Sequence, residues 1–248
     1  MDRPPDALIV LADEAARLGV ILDRRAFERF GHYLALLREW TPRAGLTAIT
    51  DPDEVQRRHF GEALALLVVL RDAGALDSGE VGVVDIGAGA GLPGIPLRIV
   101  EPALRLTLLD ASARRCRFLE RVTGELELGH VRVVRARAEE AGRDPALRGS
   151  FDLALARAVA PLPVLVEYAL PLLRRGGLLA TPKGSRAHAE LAQAAAAIDA
   201  LGGAAESPLP LPLPAGAPPQ EVLLVRRSGA LNDRFPRRVG VPAKRPLR

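Results

Sequence analysis

The residues whose types and spacing point most directly to chemistry are Asp85 and the alternating glycines behind it, in Val83-Val84-Asp85-Ile86-Gly87-Ala88-Gly89-Ala90-Gly91. An apolar run that ends in an acid and enters glycines reads as a strand feeding a tight turn. In open α/β sheets such strand ends face the crevice where ligands bind. Glycine admits positive φ and lets a ligand approach the backbone closely. The helix expected next offers unpaired N–H groups, and Pro93 and Pro96 suit its first turn, where the donor is not needed. Dinucleotide sites use G-x-G-x-x-G to seat a pyrophosphate. Here the spacing is G-x-G-x-G, and a ligand without phosphates has no need of the third interval. The competing reading is a purely structural glycine turn.

Two further positions extend the pattern. Asp110 ends the next apolar run, 106–110, where an acid can accept hydrogen bonds from ribose hydroxyls; its alternative role is to cap the following helix. Ala138-Glu139 follow a third apolar run, where a backbone N–H and a side chain can hold the edge of a base. Glu139 and Glu140 read equally well as acids of a helix's first turn.

Cations surround these acids in the sequence. Arg58-His59 lie on a predicted helix and suit a phosphate or base contact, although His59 reads equally as a structural histidine. Arg114, Arg115, Arg117 and Arg121 on one helix can track phosphates, since arginine binds them bidentately, or form a solvated face. Arg157 falls just past the fourth strand, at the crevice, as a contact to ligand or polyanion or as an ion-pair partner of Glu139 or Asp110. Lys183, after the fifth strand, is a phosphate contact or a strand-end charge. Trp40 and Phe118 read as core, Cys116 as inert. Without CxxC or clustered histidines, no metal site is expected.

The elements that must position these residues follow from periodicity. Apolar spacing predicts helices over 7–18 and 24–40, and a third from the Asp51-Pro52 cap to about residue 71. Strands are predicted at 81–86, 105–109, 131–135, 151–156, 177–182 and 220–226, with helices at 96–100, 112–126, 163–173 and 187–201 between them. That alternation means an α/β fold: a doubly wound, mostly parallel sheet with helices on both faces. The expected organisation is an N-terminal helical segment (1–75) packed on a ligand-binding domain (76–227), then a basic tail (228–248). The proline-rich stretch 207–219 reads as an extended edge or as an ordered loop.

The net charge of +4 is uneven, because residues 226–248 alone carry +7 and leave −3 to the rest. A basic tail suits a polyanion partner or simply solubility. Too poor in apolar residues to fold alone, it is expected to be flexible. Its removal is expected to weaken polyanion binding and to leave the glycine-loop ligand untouched. The N-terminus has no signal-peptide pattern, no apolar run is long enough to span a membrane, and one cysteine forms no internal disulfide, so the expectation is a cytoplasmic protein.

Taken together, these segments resemble the bacterial small-subunit rRNA guanine-N7 methyltransferase family, also called methyltransferase G or glucose-inhibited division protein B. The resemblance runs from about residue 30 to 182 and is tightest over 85–97, where Leu92-Pro93-Gly94-Ile95-Pro96-Leu97 continues the glycine turn. Leu46-Thr47-Ala48-Ile49, Arg58-His59, Leu108-Leu109-Asp110 with Arg114, Arg115, Arg117, Phe118 and Leu119, Arg157-Ala158 and Lys183-Gly184 agree as well. The resemblance implies a Rossmann-like methyltransferase fold, with S-adenosylmethionine bound by Asp85, Gly87, Gly89, Gly91, Leu92, Asp110, Ala138, Glu139 and Arg157. It implies methyl transfer to N7 of a guanine in small-subunit (16S) rRNA, as naked RNA or in a ribosomal particle; separately, a monomer is expected. Arg58, His59, Arg114, Arg115, Arg117 and Lys183 would face the RNA, and no catalytic acid or base is assigned. The chain departs from the family pattern at Thr41, Ala44, Gly45, Glu62, Ala63, Ala156, Gln220 and Glu221. Two alternatives therefore stay open: a methyltransferase with another RNA or a small-molecule acceptor, and a non-catalytic RNA-binding module with a vestigial cofactor site.

Overall fold

The computed structural model describes residues 8–247; Ala7, at the start of the first predicted helix, and Arg248, at the end of the tail, lie outside them. The chain opens with helices α1 (Ile9–Arg17), α2 (Arg24–Ala44) and α3 (Pro52–Val55), a π-helical turn (Gln56–Gly61) and α4 (Glu62–Asp72). Asp23 starts α2 by accepting from the Ala26 amide at 2.7 Å, and Gly45 ends it in the left-handed conformation. Asp51 starts α3 with Pro52 at its first position, as its sequence predicts. The helix predicted from there to residue 71 is not one regular helix, since the π-helical turn interrupts it where it carries Arg58 and His59.

Strands and helices then alternate: β1 (Gly82–Ile86), α5 (Gly94–Val100), β2 (Arg105–Asp110), α6 (Ala113–Glu125), β3 (Val131–Arg135), α7 (Ala138–Ala141), β4 (Phe151–Leu155), α8 (Leu162–Ala169) and β5 (Leu173–Lys183). The chain continues through α9 (Ala187–Gln193), α10 (Ala195–Ala200), β6 (Gly203–Ala205), β7 (Leu209–Pro210), β8 (Glu221–Arg227) and α11 (Val241–Lys244). The sheet runs β3-β2-β1-β4-β5-β8-β6, with β7 also paired to β8. β1 to β5 are parallel, and β8 returns antiparallel beside β5. The chain winds outward from β1 to β3, then back to β4 on the other side of β1, so the switch point lies between β1 and β4. The alternation thus folds as a doubly wound, mostly parallel sheet. No described helix is long and apolar enough to cross a membrane.

Period-two alternation along the strands divides the core in two. Val83, Leu106, Leu108, Leu153 and Leu155 face one side, where α1, α2, α4, α5 and α6 pack in a single apolar cluster. Val84, Ile86, Leu109, Ala154 and Ala156 face the other, against α8 and α10. The N-terminal helices therefore share the core of the sheet. Their rings interlock: Phe60 lies 5.0 Å from Phe30 and 5.3 Å from Tyr33. The buried Tyr33 hydroxyl donates to the Ala90 carbonyl at 2.5 Å, tying α2 to the glycine turn.

The tail corrects its expectation. Charge and composition predict a flexible segment, yet Phe235 is buried against the α8 side of the core, and Arg148 donates to its carbonyl at 2.8 Å. The segment has too little apolar surface to fold alone but enough to fold onto a surface that already exists. Of the two readings of 207–219, both hold in part: Leu209 and Pro210 pair as an edge with Val222 and Glu221, and the residues from Leu211 to Gln220 form a loop.

Because the Ala90 carbonyl is buried, removing its donor leaves it unsatisfied. Tyr33→Phe keeps the ring packing and should lower unfolding free energy by about 1–3 kcal/mol. A urea midpoint equal to that of the parent chain would show that this hydrogen bond does not fasten the turn.

Candidate active site

The turn after β1 is built on backbone shape. Gly87 has φ +65°, and a Cβ there would stand 2.9 Å from a Val159 methyl carbon. Gly91 has φ +84°, and a Cβ there would collide with Ile95 at 2.3 Å, so this glycine serves packing of α5 on the turn. The turn's amides find acceptors at the ends of two strands. Asp85 accepts from the Gly94 amide at 2.9 Å, Asp110 accepts from the Gly89 amide at 3.0 Å, and the Ala88 amide donates to the Leu109 carbonyl at 3.0 Å. The second oxygen of Asp85, Oδ1, is buried with no hydrogen-bond partner among the described residues.

Beyond this turn, at the carboxyl ends of the parallel strands, opens a cleft of about 690 Å³. Gly87, Asp110, Ala138 and Glu139 line it, as their positions in the sequence predict. Gly89 is behind it, on Asp110. Of the bland readings of the acids, one holds and one does not: Glu139 and Glu140 both stand in the first turn of α7, whereas Asp110 does not cap α6. Ser112, not Asp110, caps α6, accepting from the Arg115 amide, while Asp110 Oδ1 receives the Ser112 amide at 2.8 Å. At α7 it is Glu140 that reaches back to the Arg137 amide at 2.9 Å, which leaves the buried Glu139 carboxylate at the cleft. Reasoning from sequence missed Ser112, Arg137, Ala158 and Tyr168, and also Val239, Gly240 and Ala243 from the tail. Ala158 is held at φ +57°, a conformation that an alanine gives no sign of in sequence.

With Gly89, five residues expected around the ligand do not line this cleft. Asp85 and Gly91 build the turn behind it, and Leu92 is core. Arg157 turns to the N-terminal helices instead. Its guanidinium lies 3.5 Å from Glu62, donates to the Arg58 carbonyl at 3.3 Å and meets His59 Nδ1 at 3.3 Å. Neither ion pair expected for it, with Glu139 or with Asp110, forms. His59 Nε2 lies 2.7 Å from the Thr47 hydroxyl. A guanidinium has no acceptor, so Nδ1 accepts from Arg157 and Nε2 carries the proton toward Thr47. Gln220 donates to the other Glu62 oxygen at 3.4 Å.

The remaining cations divide into two kinds. Arg58, Arg114, Arg115 and Arg117 are exposed; Arg114 and Arg115 also reach the cleft, where Arg115 lies 3.7 Å from Asp110. Lys183 does not present a free phosphate contact, because its ammonium is drawn inward to Glu190 at 2.8 Å and to the Ala160 carbonyl at 2.9 Å. Trp40 and Phe118 pack together at 5.8 Å as core, and the Cys116 thiol is buried against the Asp110 carbonyl.

Burial raises the Asp85 carboxyl from 3.8 to about 7. Burial, with Arg157 alongside, lowers His59 from 6.5 to about 4. The two act on stability with opposite sign. Asp85 keeps its proton longer when folded, so its contribution is full below pH 3.8 and is lost as pH rises toward 7. His59 resists its proton when folded, so its contribution is full above pH 6.5 and is lost as pH falls toward 4. Between pH 4 and 6.5 the slopes offset. Asp85→Asn should uncover the His59 slope, so that stability climbs with pH by up to roughly 1.4 kcal/mol per unit more than in the parent chain. Parallel pH profiles of urea stability for the two chains would refute this.

Comparison with known proteins places this geometry in a family. The solved structures of a point mutant of MtNAS (TM-score 0.54, 17% identity, 83% of this chain and 76% of that one) and of the [4+2]-cyclase SpnF (0.51, 16%, 68% and 82%) share the fold. Proteins named ribosomal RNA small subunit methyltransferase G are similar over nearly their whole length. The one from Roseiflexus sp. is 40% identical (96% of this chain, 99% of that protein), and the one from Symbiobacterium thermophilum is 41% identical (96% and 97%). The profile of the family described as rRNA small subunit methyltransferase G matches residues 26–209, and the chain belongs to that family.

Proposed function

We propose that the chain transfers the methyl group of S-adenosylmethionine to N7 of a guanine in small-subunit rRNA, in the cytoplasm. The observation that carries the reading is the near full-length likeness to proteins named ribosomal RNA small subunit methyltransferase G. The cleft supports the cofactor. Its Gly87 wall has no room for a side chain, Asp110 and Glu139 stand at two points along it, and the Asp85 oxygen behind the turn lacks a partner. S-adenosylmethionine, when bound, supplies a methyl group already activated on a sulfonium.

The chain's own residues then have positioning to do. Asp110 is suited to accept from the ribose hydroxyls, and Ala138 with Glu139 to hold the adenine edge. Guanine N7 is an in-plane lone pair without a proton at neutral pH, so its methylation needs no general base. Rate enhancement comes from holding that lone pair in line with the methyl carbon. His59, neutral and enclosed between Arg157 and Thr47, is suited to shaping the N-terminal side rather than to moving a proton. Arg58, Arg114 and Arg117 are exposed and suited to phosphates.

Mapping methylated guanines in small-subunit rRNA from cells with and without the protein tests the reaction. A single N7-methylguanine that disappears with the protein is the expected result, and unchanged rRNA would sink the proposal. Asp110→Ala removes a charged acceptor remote from the transferred methyl. It should raise KM for S-adenosylmethionine about 10–100-fold, with a smaller change in kcat. Loss confined to kcat would contradict the ribose assignment.

A further inference from the structure

The tail after β8 is fastened to the domain with more polar contacts than a solubility extension needs. The Arg237 side chain engages Glu167 of α8 through Nε at 2.9 and 3.0 Å and Nη2 at 2.6 Å, and its backbone amide donates to the same carboxylate at 2.7 Å. Glu167 is fully buried, so this charge requires its partner. Three residues on, the Gly240 amide donates to Glu139 Oε1 at 2.9 Å. Between and beyond these anchors, Val239, Gly240 and Ala243 form one side of the cleft that also holds Gly87, Asp110 and Glu139. Val239 is 51% exposed, one of three large apolar side chains left open to solvent among the described residues, and it lines this cleft. An apolar side chain held at a polar cleft by two polar anchors is placed to be covered by something flat and apolar.

We propose that residues 237–243 are the adenine-side wall of the cofactor cleft: Val239 packs on the face of the base, Gly240 fixes the Glu139 carboxylate toward its edge, and the Arg237–Glu167 pair holds the wall in place. The proposal rests on the reading that this cleft binds S-adenosylmethionine. It reverses what the charge pattern alone expects, since the segment now governs affinity for the cofactor rather than for a polyanion. Arg237, the cation at its start, is committed to Glu167. Gly240 has φ +79°, which lets the chain present its amide to Glu139 and turn at once into α11.

The test is calorimetry on the full chain with S-adenosylmethionine and S-adenosylhomocysteine, comparing the parent with Val239→Ser and Ala243→Trp. Both positions are exposed, so melting temperatures should stay unchanged. The first variant removes apolar contact and should weaken both ligands roughly tenfold. The second places a bulky ring in the cleft and should weaken them at least as much, while affinity for small-subunit rRNA without cofactor is preserved. Hydrogen exchange gives a second readout. The Gly240 and Val241 amides should exchange more slowly in saturating S-adenosylhomocysteine. A parent that binds, with variants that bind equally and tail amides that do not respond, overturns the wall while leaving the cofactor reading intact. A parent that binds neither ligand at millimolar concentration overturns the cofactor reading, and the wall with it.

Discussion

The constraint on which the rest of this structure depends is that a backbone turn at the centre of the sheet must satisfy its amides without secondary structure of its own. Between Ile86 and α5 the chain reverses at the switch point, where amides would otherwise be buried unpaired. Carboxylates at the ends of β1 and β2 receive the Gly94 and Gly89 amides, and the Leu109 carbonyl receives that of Ala88. This is why acids stand at the ends of two adjacent apolar strands. Asp110 faces both ways, bonded to the turn on one side and open to the cleft on the other. Asp85 is wholly interior, and the cost of its burial appears in its raised pKa.

Much of this was legible in the residues themselves. Alternating strands and helices dictated the doubly wound sheet, and the strand-end acids and glycines located the cleft. What escaped has identifiable physical causes. The π-helical turn over 56–61 has no composition of its own, and its Phe60 packs on Phe30 and Tyr33, contacts distant in sequence. The place of Arg157 just past β4 follows from its sequence, but the direction of its side chain depends on Glu62 and His59, supplied by a different segment. The order of the tail is not legible in its own residues, because its anchors are Glu167 and Glu139 of the domain.

The same geometry explains why departures from the family pattern need not be read one by one. Glu62 and Gln220 lie 158 residues apart and touch each other, and Glu62 in turn pairs with Arg157. They form one half-buried polar set, in which each side chain answers a requirement of the next. A carboxylate in this partly enclosed position is held by a guanidinium and an amide together, and changing any one alone would leave a polar group without its complement.

The two margins of the sheet are finished by different means, and this bears on how the protein behaves in a crowded solution. At one margin β3 carries Arg132 and Arg135, charges that discourage a second strand from docking. At the other, β6 and β7 both lie along β8, and β7 sits within a stretch with proline at 208, 210, 212 and 214; a proline has no N–H to offer a neighbour. The proline-rich segment, which looks in sequence like an interruption of the fold, therefore acts as its selvedge. Along β7 it leaves few N–H groups with which a further strand could extend the hydrogen-bonding ladder.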